Sequence, residues 1–425
     1  MYVHVVSSGD TLWAISNLYR VSIPSILSLN GLTSSEIVPG IALYIPTTNL
    51  ALRFYRISPG DSLGQIASNF QINANDLLLA NPGIHPNQLI IGQKITIPSP
   101  NKMTIQTLGF IVPYSSSKLL PTLRKLAKNI TYLAVVSYSF TDEGWAYVQL
   151  DDAEIVLESK RLGMKPLLMI RNYSNEAFSP ELVGRVFENP IYRANLVNSI
   201  TNLVQQKGYE GVSIDFEFVP PPRRNDFNTF LSDLKRALGN RILQVNVHAK
   251  TEDIPTNRII GAYDYKAIGE IADIVGVMTI DYGYPTGPPN PVSPIWWVEQ
   301  VVQYSIQLIP PSKLQISIAM YGYDWRLIDN VTTAKSNLNA QNSAISNKVS
   351  IQYDDYAAVP WYRYWIGTEE HIVWFGDIRS VIEKYKLIDY YQLLGTTYWH
   401  IGLDFPQNWA YLEGNVHVVK PLRIS

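Results

Sequence analysis

The segment Gly208-Tyr209-Glu210-Gly211-Val212-Ser213-Ile214-Asp215-Phe216-Glu217-Phe218-Val219 decides how the rest of the chain is read. From Val212 to Phe218 the residues are mostly apolar, β-branched or aromatic and follow a glycine, which predicts a short buried β-strand. Side chains alternate across a strand, so Ser213, Asp215 and Glu217 are expected on one face and Val212, Ile214, Phe216 and Phe218 on the other. The apolar set suits packing against helices. The polar set ends in two carboxylates near the C-terminal end of the strand. Repulsion between two partly desolvated acids keeps one of them protonated near neutral pH, which a general acid requires. A solvated strand end is the plainer alternative, but the flanks are too apolar for an exposed edge.

Outward from this strand, Met103 to the C-terminus alternates strand and helix patterns as a (β/α)8 TIM barrel does. The expected strands are 105–112, 132–138, 166–170, 211–217, 242–247, 274–280, 314–319 and 394–398. Helices are expected at 119–127, 153–161, 192–206, 224–238 and 294–306. Asp215 and Glu217 then fall at the C-terminal rim, where barrel active sites lie. The span from Tyr323 onward is too long for a loop and predicts a small α+β insertion at 323–375, after strand 7. Strand pieces are expected there at 349–353 and 371–375, separated by Trp361-Tyr362-Arg363-Tyr364-Trp365. That aromatic cluster suits either a sugar platform or the core of the insertion.

Before the barrel, Ser8-Gly9-Asp10-Thr11-Leu12-Trp13-Ala14-Ile15 recurs as Pro59-Gly60-Asp61-Ser62-Leu63-Gly64-Gln65-Ile66. Asn30, Gly40 and Ile45-Pro46 recur as Asn81, Gly92 and Ile97-Pro98. Two tandem βααβ units follow, over 1–48 and 52–99, with the third domain over 103–425 and a linker at Pro98–Lys102. Asp10 and Asp61 stand where helix N-caps belong, and Asn30 and Asn81 mark turns.

Composition sets outer bounds. The chain has 425 residues, 46% hydrophobic and 16% charged, which indicates well-buried globular domains. A net charge of −2 favours neither nucleic acid nor an anionic membrane as partner. With no cysteine, disulfides and thiolate metal sites are excluded. No signal peptide is visible in the opening Met1–Val6, and no apolar run is long enough for a bilayer. No metal or nucleotide motif is present, so no cofactor is expected, and the expected state is a monomer.

Gly211-Val212-Ser213-x-Asp215-x-Glu217 resembles the fourth-strand signature of glycoside hydrolase family 18, the chitinase-like barrels, whose pattern is D-x-x-D-x-D-x-E. Asp215 and Glu217 occupy its last two acid positions; Glu210 and Ser213 stand where the family has aspartates. The resemblance implies retaining, substrate-assisted hydrolysis beside N-acetylglucosamine. Glu217 would be the general acid and base. Asp215 would orient the acetamido group, whose carbonyl attacks the anomeric carbon. Met278-Thr279-Ile280-Asp281-Tyr282 resembles the family's Met-x-Tyr-Asp, with Ile280 in place of the tyrosine and Tyr282 or Tyr284 as substitute hydroxyls. Trp399 matches the tryptophan that floors the sugar subsite. Asp281, Tyr282, Tyr321, Trp399 and Ser213 are the substrate-binding set so implied. His248 reads as a hydrogen-bonded structural residue.

The repeated units resemble LysM modules, which bind N-acetylglucosamine-containing glycans. That resemblance places a groove around Asp10, Thr11, Leu12 and Asn30 in the first and Asp61, Ser62, Leu63 and Asn81 in the second. Paired modules on such a barrel, with Gly287-Pro288-Pro289, Trp374–Ser380 and Phe405–Trp409, resemble the sporulation and germination glycosylases of endospore-forming bacteria. The implied function is an N-acetylglucosaminidase acting on spore-cortex peptidoglycan, located in the spore envelope at the coat and cortex boundary. A non-catalytic peptidoglycan- or chitin-binding spore coat protein, or a chitinase, is the alternative.

Overall fold

The apolar runs pair in register into one closed parallel sheet. The computed structural model describes residues 2–46, 50–85 and 88–420; positions 1, 47, 48, 86, 87 and 421–425 of the expected domains lie outside it. The barrel strands are Met103–Ile111, Tyr132–Phe140, Lys165–Arg171, Gly211–Asp215, Ile242–His248, Ile274–Met278, Leu314–Ala319 and Gly395–Trp399. Each is parallel to the next, and the eighth pairs with the first (Thr396↔Thr107), which closes the (β/α)8 barrel. Strands enclosed on both faces must be apolar on both, which is why these runs are nearly continuous. Leu108, Phe110, Ala134, Val136, Leu167 and Met169 fill the interior. Leu168, Ile170, Val212 and Ile214 face the surrounding helices.

The fourth strand ends at Asp215, two residues short of the expected end at Glu217. Phe218 takes the left-handed conformation (φ 54°), so alternation stops and the chain turns outward. What fixes the break is packing. Phe216 is enclosed by Phe140, Phe187, Phe227 and Phe230, while its carbonyl accepts a hydrogen bond from the Tyr263 hydroxyl.

The insertion follows the seventh strand as an antiparallel sheet of five strands plus the helix Asn337–Ser346. It begins with Tyr321–Arg326, earlier than expected. Trp361–Trp365 does lie between two strands, Gln352–Asp354 and Glu369–Trp374, but is itself part of a third, Val359–Ile366. Period-two alternation then splits the cluster. Tyr362 and Tyr364 are buried against the first N-terminal unit, and Trp361 packs on Trp374.

Each N-terminal unit is a βααβ fold: Tyr2–Val5, Leu12–Tyr19, Ile23–Asn30, Ala42–Ile45, then Ala51–Arg56, Leu63–Asn69, Ala74–Ala80, Lys94–Ser99. The helix caps are Thr11 and Ser62, whose hydroxyls accept from the backbone N–H of Ala14 and Gln65. Asp10 and Asp61, expected as caps, instead accept from Ser7 and Ser58 and close the preceding turn. A cap must sit one residue before the first helical turn, and the helices start one residue later than the aspartates require.

Neither unit hangs free. The first shares its core with Ala340, Ala344, Tyr362, Val373 and Phe375 of the insertion. The second docks through Arg53, which forms a two-pronged pair with Asp389 on the helix Ile378–Tyr390.

Candidate active site

Asp215 ends the fourth strand at the barrel mouth and is only 3% exposed. A ladder of buried amides fixes it. Ser213 donates to Gln244 Oε1, Gln244 Nε2 donates to Asn246 Oδ1 (2.7 Å), and Asn246 Nδ2 donates to Asp215 Oδ1 (3.1 Å). Burial and then the charge of Glu217 push the Asp215 carboxyl up to about 7; the nearby Arg171 charge and the Asn246 amide oppose them. Ser213, expected to touch substrate, is fully enclosed beneath this ladder and serves as its base.

Glu217 lies just past the strand, and its backbone is held from both sides by Asn172. The Asn172 Oδ1 accepts from the Glu217 N–H and its Nδ2 donates to the Glu217 carbonyl, each at 2.8 Å. Buried Asn172 directly follows the third strand. The Glu217 carboxylate is partly open to solvent, with Oε2 3.3 Å from His248 Nε2. The Nε2 finds no well-angled hydrogen-bond partner there. The His248 ring packs on Phe218 and Tyr263.

Asp281 follows the sixth strand with φ 58°. Its Oδ1 accepts from the hydroxyls of Tyr321 (2.6 Å) and Tyr323 (2.9 Å). Solvent reaches Asp281, yet protein crowds it closely enough that lost hydration raises its pKa, against the lowering by the two hydroxyls. Tyr321 is itself buried, so it reaches the site through Asp281. Tyr282 packs its ring on Trp296 and Trp297. Trp399 ends the eighth strand, half-buried, bridging Phe110 of the barrel interior and the Tyr321–Tyr323–Trp325 cluster.

Asn172, Asn246, Tyr263 and Tyr323 were not singled out from sequence. For Asn172, Asn246 and Tyr323 the signal was position alone, at or just beyond a strand end on the barrel's C-terminal side; Tyr263, just ahead of the helix Tyr265–Ile271, carried none.

In the N-terminal units the expected groove residues divide. Thr11 and Ser62 are exposed, and Asp10 and Asp61 partly so. Leu12 and Leu63 are core residues, a correction that follows from their position at the first helical turn facing inward. Asn30 is fully buried, with its amide committed to Ile26 and Tyr44. Asn81 does the same with Leu77 and Thr96. Both asparagines tie helix to final strand, so neither amide is free for a sugar.

The mouth of the closed barrel thus gathers Asp215, Glu217 and Asp281, with Trp399 at the end of the eighth strand. The chain belongs to the glycosyl hydrolases family 18, whose family model matches residues 163–404, and it carries two LysM domains matched at 4–46 and 55–98. It is 36% identical to YdhD of Bacillus subtilis (strain 168) over 417 residues, 96% of this chain and 97% of that protein. It is 32% identical to the cortical fragment-lytic enzyme of the same organism, across 87% of this chain and 99% of that one. The crystal structure of the Bacillus cereus spore cortex-lytic enzyme SleL superposes with a TM-score of 0.86 at 30% identity, covering 99% of this chain and 98% of that chain.

Proposed function

We propose that this protein cleaves the glycosidic bond following N-acetylglucosamine in spore-cortex peptidoglycan, with retention of configuration. Glu217 protonates the departing oxygen while the substrate's acetamido carbonyl attacks the anomeric carbon. Asp215 accepts from the acetamido N–H and stabilises the positive charge that develops. Glu217, now a carboxylate, takes a proton from water, which opens the cyclic intermediate. Asp281 and the face of Trp399 hold the sugar.

The observation that supports this most directly is the pairing of a desolvated Asp215 with a solvent-reached Glu217 whose backbone is pinned by Asn172. Of the two, Asp215 carries the raised pKa, so near neutral pH the resting pair holds a proton that passes to Glu217 before Glu217 acts as the acid. The cortex as substrate follows the relatives named for cortex lysis, and the spore envelope is the corresponding location. The LysM domains, at 1–48 and 52–99, would hold the same polymer through their exposed loops around Asp10–Thr11 and Asp61–Ser62, while 103–425 performs the chemistry. The test is mass analysis of cortex fragments after digestion: new reducing-end N-acetylglucosamine supports the reading. Intact fragments, with binding retained, would make the protein a glycan-binding coat component instead.

A further inference from the structure

The barrel mouth holds a cation with a buried donor left unspent. Arg171 ends the third strand, and the register sets it beside Asp215 (Arg171↔Asp215), one step above Met169↔Ser213. Leu167 and Met169 point into the barrel interior, so the two-residue repeat aims Arg171 into the mouth. Its guanidinium rests over the ring of Tyr173, 4.4 Å from the centroid. Nε is buried without a hydrogen-bond partner. Arg53, Arg193, Arg224 and Arg379, comparably sheltered, each pair with a carboxylate; among the described residues Arg171 has no such pair. A buried guanidinium donor left unmet is costly, and such sites persist where a ligand completes them.

The fork is also preset. Tyr173 opens the short hairpin Tyr173–Ser174 and Ala177–Phe178, turned at Asn175 and Glu176, both left-handed. The Tyr173 hydroxyl donates to the Glu176 carbonyl (2.7 Å), and Phe178 packs on Tyr173 and on Phe218, next to Glu217. A guanidinium held over a ring and partly dehydrated matches a carboxylate with two parallel donors.

We propose that Arg171 determines specificity by binding a carboxylate borne by the glycan strand beside the scissile bond. This rests on the peptidoglycan reading, because peptidoglycan carries carboxylates on its lactyl ether or on the attached peptide, whereas chitin carries none. Arg171 would then separate wall fragments from neutral N-acetylglucosamine oligomers.

Arg171→Gln and wild type are to be compared on three soluble substrates: chitooligosaccharide, peptide-free muropeptide glycan, and peptide-bearing glycan. The expected result is a fall in kcat/KM on an acidic substrate about tenfold or more beyond any fall on the neutral one, carried by KM. The acidic substrate that loses most identifies the lactyl or the peptide carboxylate as the source. Equal loss on neutral and acidic substrates would show that Arg171 acts only on the charge of Asp215 and would overturn the proposal; so would no loss. A measurement on wild type alone covers a misfolded variant. N-acetylmuramic acid or muramoyl dipeptide should displace bound glycan better than N-acetylglucosamine, with an advantage that shrinks as salt rises. Failure of both acidic compounds to do so overturns it equally. If wild type hydrolyses none of the substrates, the hydrolase reading fails while the displacement assay still decides on Arg171.

Discussion

Asn172 grips the backbone of Glu217 at both ends, with its side-chain amide 2.8 Å from the Glu217 N–H and 2.8 Å from the Glu217 carbonyl oxygen. A carboxylic acid beyond the end of its strand has no sheet partners, so this one amide substitutes for the missing ladder. Asn172→Ala should therefore lower kcat by about 10²-fold, the cost of displacing an acid by roughly an ångström. Stability should fall by only about 1–3 kcal/mol from the three backbone groups left without the amide, the Glu217 N–H and the carbonyls of Glu217 and Ser179. Steady-state kinetics beside a thermal melt will separate the two effects; an unchanged kcat would remove the clamp from the mechanism.

Glu217→Gln should leave the fold intact, since the side chain is partly solvated and forms no buried network. Turnover of soluble fragments should drop between about 10²- and 10⁴-fold, the usual contribution of a positioned general acid. Circular dichroism and product assays check both halves, and activity near wild type would assign the acid elsewhere.

Asp215 carries the clearest pH signature. Its folded pKa is raised to about 7 from an ordinary value of 3.8. A group raised in the folded state keeps its full contribution below the unfolded pKa and loses it as pH climbs through the folded one. Wild-type stability should thus decline from about pH 4 to pH 7 relative to Asp215→Asn, which has no proton to lose. The variant should be more stable above pH 7 by on the order of a few kcal/mol, and equal to wild type near pH 3. Denaturant melts across pH give the answer; parallel curves would mean that the carboxyl is not desolvated.

The first LysM domain is bound to the barrel by buried polar contacts as well as apolar ones. Gln407 Nε2 donates to Asn30 Oδ1 (2.9 Å) and to the Ala42 carbonyl (2.7 Å), and Gln341 Nε2 donates to the Asn30 carbonyl. Gln407→Ala should cost about 1–3 kcal/mol in global stability. Deleting residues 1–46 should do more, because Tyr362, Val373 and Phe375 would be laid open to water. Melting temperatures of both variants test this. A truncated protein as stable as the full chain would show the domain to be a loosely tethered module.

Much of this architecture was legible in the chain. Eight apolar runs, a tandem motif and two acids at spacing two are local patterns, and local periodicity follows from backbone geometry without reference to distant residues. The split of Trp361 from Tyr362 was not legible, because an aromatic run reads alike whichever face is covered. The same holds for Asn30 and Asn81, whose turn-like positions conceal amides that tie helix to strand.

By itself the sequence determined the barrel, the paired units before it and the rim position of Asp215 and Glu217, because each depends on spacing along one segment. Tertiary structure alone decided that the strand stops at Asp215, that Asn172 holds Glu217, that Arg171 stands unpaired in the mouth, and that Asn30 meets Gln407 across 377 residues. Those outcomes depend on which side chains close on each other when the barrel shuts. No local pattern records a contact between segments that meet only in the folded chain.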